Sequence, residues 1–112
     1  MRLDELGRVI ATLSCGTSTA AVTAANAAEA IADLAAAVED TEREGCGECY
    51  WPEGGGDYRW LFRRNGGAVS VVVLWCVNPV TGWEHVFWAE MGWEEFLRVF
   101  RAAIAKQTVQ TG

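Results

Sequence analysis

The dipeptide Asn65-Gly66 restricts this chain more than any other feature of its sequence. A tight two-residue hairpin turn needs positive φ, and Asn-Gly supplies it at little steric cost. Residues 58–64 before it alternate. Tyr58, Trp60 and Phe62 fall on one face, with Arg59, Leu61 and Arg63 on the other. Residues 68–77 after it are β-branched and apolar, the profile of a central strand. A turn centred on Asn65-Gly66 pairs Arg64 with Gly67, Phe62 with Val69, and Trp60 with Val71. Asn78-Pro79 and Thr81-Gly82 mark a second turn, and residues 83–91 form a third strand. Placing Val77 opposite Trp83 sets Trp75 against His85 and Val73 against Phe87. All apolar sets then share one face, whereas a one-residue slip buries Glu84 and Glu90.

A different periodicity governs the ends of the chain. Leu3, Leu6, Val9, Ile10 and Leu13 recur at helical spacing, which predicts a helix over 3–14 closed at Cys15-Gly16. Thr17, Ser18 or Thr19 is placed to cap a second helix reaching about residue 43. Its apolar stripe is Ala24, Ala27, Ile31, Leu34 and Val38. Side chains this small admit close approach by the first helix, the last helix or a second copy of the chain. Residues 93–107 carry Phe96, Leu97, Phe100, Ala103 and Ile104 on one stripe, and this helix is expected to cover the aromatic sheet face. The expected fold class is α+β, ordered ααβββα: an N-terminal helical hairpin, a three-stranded antiparallel meander and a C-terminal amphipathic helix. A single domain over 1–112 suits this length. It divides into helices at 1–44, a Cys/Gly-rich loop at 45–57 with a flexible triple-glycine tip, the sheet at 58–91, and the last helix at 92–107.

Charge narrows the choice of partner. The net charge is −6, and Glu29, Asp33, Glu39, Asp40, Glu42, Glu44, Glu48, Glu53 and Asp57 face only Arg43 over one stretch of the chain. Such a surface repels a phosphate backbone, which argues against nucleic acid, and it suits a basic protein. The plain alternative is a solvated helix face that keeps a small protein soluble. No run approaches the roughly 18 apolar residues of a membrane span. With no signal-type apolar stretch at the start, a cytoplasmic site is expected, where cysteines remain thiols or metal ligands.

Cys46-x-x-Cys49 is the sharpest local motif. Two thiolates at that spacing grip a tetrahedral zinc, and flanking Gly45 and Gly47 permit the turn of a knuckle. The remaining ligands would come from Cys15, Cys76 or His85, or from a second copy. Cys76 and His85 are expected on opposite sheet faces. A redox role for the pair is disfavoured by the surrounding acids, which raise a thiol's pKa. Cys15 before a helix is a candidate nucleophile, but the sequence offers only His85 as a base.

Arg59 and Arg63 share a face with Leu61, Ser70, Val72, Leu74 and Trp88. That mixture is too charged for a core and too apolar for a solvated surface. Either it is an interface hot spot, or the acidic N-terminal helices cover it to make a three-layer sandwich. The leading reading is a small acidic, non-enzymatic protein-binding module of inhibitor or immunity type. It would engage a basic partner surface through Glu39, Asp40, Glu42 and Glu44, and a partner or a homodimer mate through Arg59, Arg63 and Trp88. A zinc-stabilised domain centred on Cys46 and Cys49 is the alternative, and a Cys15 enzyme the third.

Overall fold

The computed structural model describes residues 2–5, 9–15, 18–77, 80 and 82–111. The N-terminal region is a sheet. β1 (Arg2–Glu5), β2 (Val9–Cys15) and β3 (Ser18–Ala24) pair antiparallel in that order. The expected helix over 3–14 and the first part of the expected second helix are therefore corrected to strands. The residues explain it. Val9, Ile10, Thr12, Thr19, Val22 and Thr23 are β-branched, stiff in a helix and at ease on a pleat. Burial follows a period of two: Ala11, Leu13, Val22 and Ala24 are buried, while Ser14, Thr19 and Ala21 are exposed.

The helix begins later, at α1 (Ala27–Glu44). Asn26 caps it: its Oδ1 accepts from the Glu29 N–H at 3.1 Å. The proposed caps Ser18 and Thr19 lie inside β3, and Thr17 lies outside the described residues. Gly45 ends α1 in the left-handed region at φ 86°, and its N–H donates to the Thr41 carbonyl at 3.0 Å.

The expected loop over 45–57 is also ordered strand. β4 (Cys46–Glu53) pairs with β5 (Gly56–Asn65), joined by the two-residue turn Gly54-Gly55 with φ 100° at Gly55. The triple glycine is thus a tight turn and not a flexible tip. β6 (Ala68–Cys76) and β7 (Trp83–Gly92) complete a meander in the order β4-β5-β6-β7, and α2 (Trp93–Thr111) follows. The element order is βββαββββα, with two helices and two sheets in place of ααβββα.

The central hairpin turns one residue later than expected. Asn65 pairs with Ala68, so Gly66-Gly67 form the turn, with Phe62 opposite Val71 and Trp60 opposite Val73. Positive φ falls on Gly66 (61°), at the first central position, as a II′ turn requires. The register moves by two residues, so every side chain keeps its face. Val73 pairs with Phe87 as expected, but the register then shifts: Leu74 faces His85 and Cys76 faces Trp83, leaving Val86 as a bulge residue. The expected pairs Val77–Trp83 and Trp75–His85 are not formed.

One face of the large sheet is the core. Trp51, Trp60, Phe62, Val69, Val71, Val73, Phe87 and Ala89 are buried on it. α2 covers it with Phe96 and Phe100, whose rings meet Phe62 edge-on at 5.2 Å. α1 covers β4 on the same side. α1 thus packs chiefly on a strand, which the sequence did not announce, and also touches the C-terminal helix α2, which it did. The Trp51 indole N–H donates to the Ala30 carbonyl at 3.0 Å. At Gly47 the backbones approach so closely that a Cβ would lie 2.2 Å from the Ala37 carbonyl oxygen. Leu13 of the small sheet joins the same core beside Val71, Phe87 and Phe100.

Candidate functional site

Both helices and the small sheet pack on the aromatic side, which leaves the other face of the large sheet open among the described residues. The three-layer sandwich weighed from the sequence does not form. Alternation along the strands carries Glu48 and Tyr50 of β4, Arg59, Leu61 and Arg63 of β5, and Ser70, Val72 and Leu74 of β6 to this open face. β7 contributes Trp88, opposite Val72. The bulge at Val86 brings His85 opposite Leu74 and Trp83 opposite Cys76, so both join this face. Without the bulge they would point to the core side, which is where sequence alternation had put them. Trp88 is 54% exposed, Tyr50 43% and Trp83 41%.

Tyr50, Arg59 and Trp83 form one cluster. The guanidinium of Arg59 sits 5.5 Å from the Tyr50 ring centroid and 5.7 Å from that of Trp83, and the rings are 6.3 Å apart. The Arg59 Nε–H donates to Glu48 Oε2 at 3.0 Å, and its Nη2 reaches the same oxygen. That hydrogen bond holds the guanidinium charged, above its already high ordinary pKa. Tyr, Trp and Arg are the residue types most enriched where protein interfaces draw their energy, and here they are fixed before any partner arrives. Exposed Trp88 and Arg63 lie on the same face. From the sequence, the pair Tyr50-Trp51 beside the glycine-rich loop reads as a binding lip or, more readily, as a loop anchor, and Trp83 is not singled out as an interface residue. The signal for Tyr50 was alternation within 46–53, masked by glycine and proline; nothing local announced the bulge that recruits Trp83.

Next to this cluster the face is hollowed into a groove of about 590 Å³. Leu61 and Val72 give it an apolar floor, and Glu48, Asp40 and Glu44 are among its walls, with Arg63 and Cys46. The acids proposed as one surface therefore divide. Asp40 and Glu44, one turn apart, belong to this groove. Glu39 and Glu42 line a second groove between α1 and α2, where Glu42 pairs with Arg101. Arg43 pairs with Asp40.

The CxxC pair does not converge. Cys46 is exposed and Cys49 is buried, three residues apart on one strand and so on opposite faces. The bulge puts His85, opposite Leu74, on the same sheet face as Cys76, and not on the opposite face as expected, but Cys76 is buried and His85 exposed. The side chain of Cys15 lies outside the described residues. Among the described residues no three His, Cys, Asp or Glu side chains gather where they could hold one metal ion. Burial, followed by the carboxylates of Asp33 and Glu48, pushes the Cys49 thiol from an ordinary value near 9 up to about 12. Iodoacetamide at pH 8 should therefore modify Cys46 and spare Cys49 until the chain unfolds, read by peptide mass spectrometry. Equal labelling would contradict the alternation in β4. Folding favours the neutral Cys49 thiol, so this stabilisation is complete below about pH 9 and is lost as pH climbs toward about 12. The urea midpoint should fall across that window, and less steeply in Cys49→Ala.

Among the described residues no helix is long and apolar enough to cross a membrane. No known family matches this sequence, and comparison with curated proteins and with solved structures returned no similar chain.

Proposed function

We propose that this chain is a small, non-enzymatic protein-binding module of inhibitor type that works through the open face of its large sheet. The observation that carries this reading is the preset Tyr50–Arg59–Trp83 cluster beside exposed Trp88, on a sheet face that neither helix nor the small sheet covers among the described residues. Exposed tryptophans and a tyrosine grouped with an ordered arginine exceed the scattered apolar residues that any surface carries. The strand edges support a face rather than an edge as the docking element. β4 carries Pro52 and the charges Glu48 and Glu53, while β7 carries the Val86 bulge with exposed Glu84 and Glu90. Both devices discourage strand addition at an edge. The exposed Cys46 thiol suits a reducing compartment, and we place the protein in the cytoplasm on that ground.

A double variant, Trp83→Ser with Trp88→Ser, tests the reading. Both side chains are exposed, so the thermal transition should move little, consistent with roughly 0.5 kcal/mol for surface substitutions. Retention of partner protein by the immobilised chain should fall at least tenfold, because interface tryptophans typically contribute about 2 kcal/mol or more each. Equal retention by the variant and the unaltered chain would remove the face from consideration.

A further inference from the structure

We infer that this chain dimerises by strand addition: β3 of one copy pairs antiparallel with β3 of a second copy about a twofold axis at Ala21. The pairing joins the two small sheets into one. It goes beyond the docking role proposed for the open face, which lies on the other side of the large sheet and stays free in both copies.

An edge strand offers a row of backbone N–H and C=O groups to any strand that reaches it, and proteins ordinarily blunt such edges. Three of the four sheet edges here are blunted. β4 carries Pro52 with Glu48 and Glu53, and β7 carries the Val86 bulge with Glu84 and Glu90. β1 has only four residues, three of them charged: Arg2, Asp4 and Glu5. β3 has none of these devices. Its seven residues, Ser18–Ala24, include no charge, no proline and no glycine, and its register against β2 runs without a bulge. It pairs with β2 on one side only, and among the described residues no backbone group bonds it from the other. Thr19 and Ala21 are exposed on its outer face, while Val22 and Ala24 are buried in the core.

Charge and side-chain size select a second copy as the occupant. The chain carries −6, so an average patch of its surface repels a copy of itself. The stretch from Val9 to Ala28, which includes β2 and β3, holds no charged residue. An antiparallel register centred on Ala21 pairs the whole of β3: Ala21 meets its own counterpart, Ala20 meets Val22, Thr19 meets Thr23, and Ser18 meets Ala24. Any other centre pairs fewer residues. No charges oppose each other, and Thr–Thr pairs are favourable across strands. One carboxylate touches β3 among the described residues, that of Glu53, which accepts from the Thr23 hydroxyl. In this register the two copies of Thr23 stand about 13 Å apart at about 3.3 Å per residue, beyond the roughly 8 Å screening length at physiological salt. A strand from another protein would find the same backbone groups but little to read, since specificity in strand addition comes from side-chain pockets and the outer face offers threonine and alanine. A contact about 23 Å long and one strand thick buries less than the roughly 800 Å² per partner of a standard interface, so the dimer is weak and concentration-dependent.

Sedimentation equilibrium of the full chain, from low to high micromolar concentration, reads the dimer. A monomer–dimer equilibrium with nothing larger is expected, because the pairing consumes the one edge left unguarded among the described residues. Ala21→Lys and Ala21→Glu each set like charges face to face at the axis, and each should weaken the dimer at least about tenfold. Mixed in equal amounts, the two variants should associate at least as tightly as the unaltered chain, since lysine then faces glutamate. Ala21 is exposed, so both variants should keep the circular dichroism and the unfolding transition of the unaltered chain. Hydrogen exchange needs no variant: the amides of 18–24 should exchange more slowly as the concentration of the unaltered chain rises. Each of the following overturns the proposal: a monomer at every concentration, assemblies that grow past the dimer, a dimer as strong in Ala21→Lys, variants that stay apart when mixed, or exchange in 18–24 that ignores concentration. A dimer lost in Trp88→Glu and kept in Ala21→Lys would overturn it too, by moving the contact to the open face.

Discussion

Trp60→Ala should destabilise the protein by roughly 3–5 kcal/mol, the range for emptying a large aromatic from a packed core. Trp60 is fully buried at the centre of the sheet, 4.9 Å from Trp51 and edge-on to Phe100 at 6.2 Å. The surrounding aromatics come from both β5 and α2, so collapse around the gap would have to move a strand and a helix together. A subtler contrast separates the two buried tryptophans. The indole N–H of Trp51 donates to Ala30, whereas that of Trp60 finds no acceptor among the described residues. A buried donor left unpaired costs about 1–3 kcal/mol. Trp60→Phe removes that cost along with some volume; Trp51→Phe loses volume and a hydrogen bond. Trp51→Phe should therefore be the more damaging of the two in urea unfolding followed by circular dichroism. The reverse order would mean that Trp60 has an acceptor after all.

Gly47→Val should rank close behind, with a loss at or above the upper end of the roughly 1–3 kcal/mol typical of overpacking. A Cβ there would stand 2.2 Å from the Ala37 carbonyl oxygen and 2.7 Å from Thr41 Oγ1. The first obstacle is helix backbone, which cannot swing aside as a side chain does. The hydroxyl is also committed, since Thr41 donates to that same Ala37 carbonyl at 2.8 Å. Adding Thr41→Ala to Gly47→Val should consequently fail to rescue it. Gly54→Ala, where a Cβ meets nothing within 4 Å and φ is not positive, should be nearly neutral and serves as the control. Melting temperatures of the four proteins decide the matter. A stable Gly47→Val would show that α1 and β4 are further apart than described here.

The sequence was most legible where one periodicity stood alone. Tyr58 to Arg64, the β-branched run to Cys76, and the Phe96–Phe100 stripe declared two strands and a helix, and the structure has them at β5, β6 and α2. It was least legible where alanine diluted the pattern. In 18–24, Ala20 and Val22 repeat at two residues, but Ala-rich neighbours extend the apparent helix backward across them. Alanine's helix preference is about 0.7 kcal/mol or less over ordinary residues, and pairing with β2 outweighs it. The 46–53 strand was hidden by a motif. Cys, Gly and Pro there suggested a knuckle, while Cys49 and Trp51 were simply the inward residues of an edge strand. Of the candidate site, Arg59, Arg63 and Trp88 were legible from alternation alone. The groove was not, because Asp40 and Glu44 reach it only once α1 has packed along β4.

The far end of the β5–β6 hairpin holds one more consequence. The Gly45 carbonyl that follows α1 accepts from the Arg64 N–H at 2.7 Å, and the Gly67 carbonyl accepts from the Trp93 N–H that begins α2, at 2.9 Å. One turn thus fastens the tail of one helix and the head of the other. The Arg64 guanidinium, 4.0 Å from the centre of the Trp93 ring, reinforces the second fastening. Neither helix is therefore an independent appendage: opening this junction loosens both at once. Loss of order should spread through 27–111 as one cooperative event rather than fraying helix by helix.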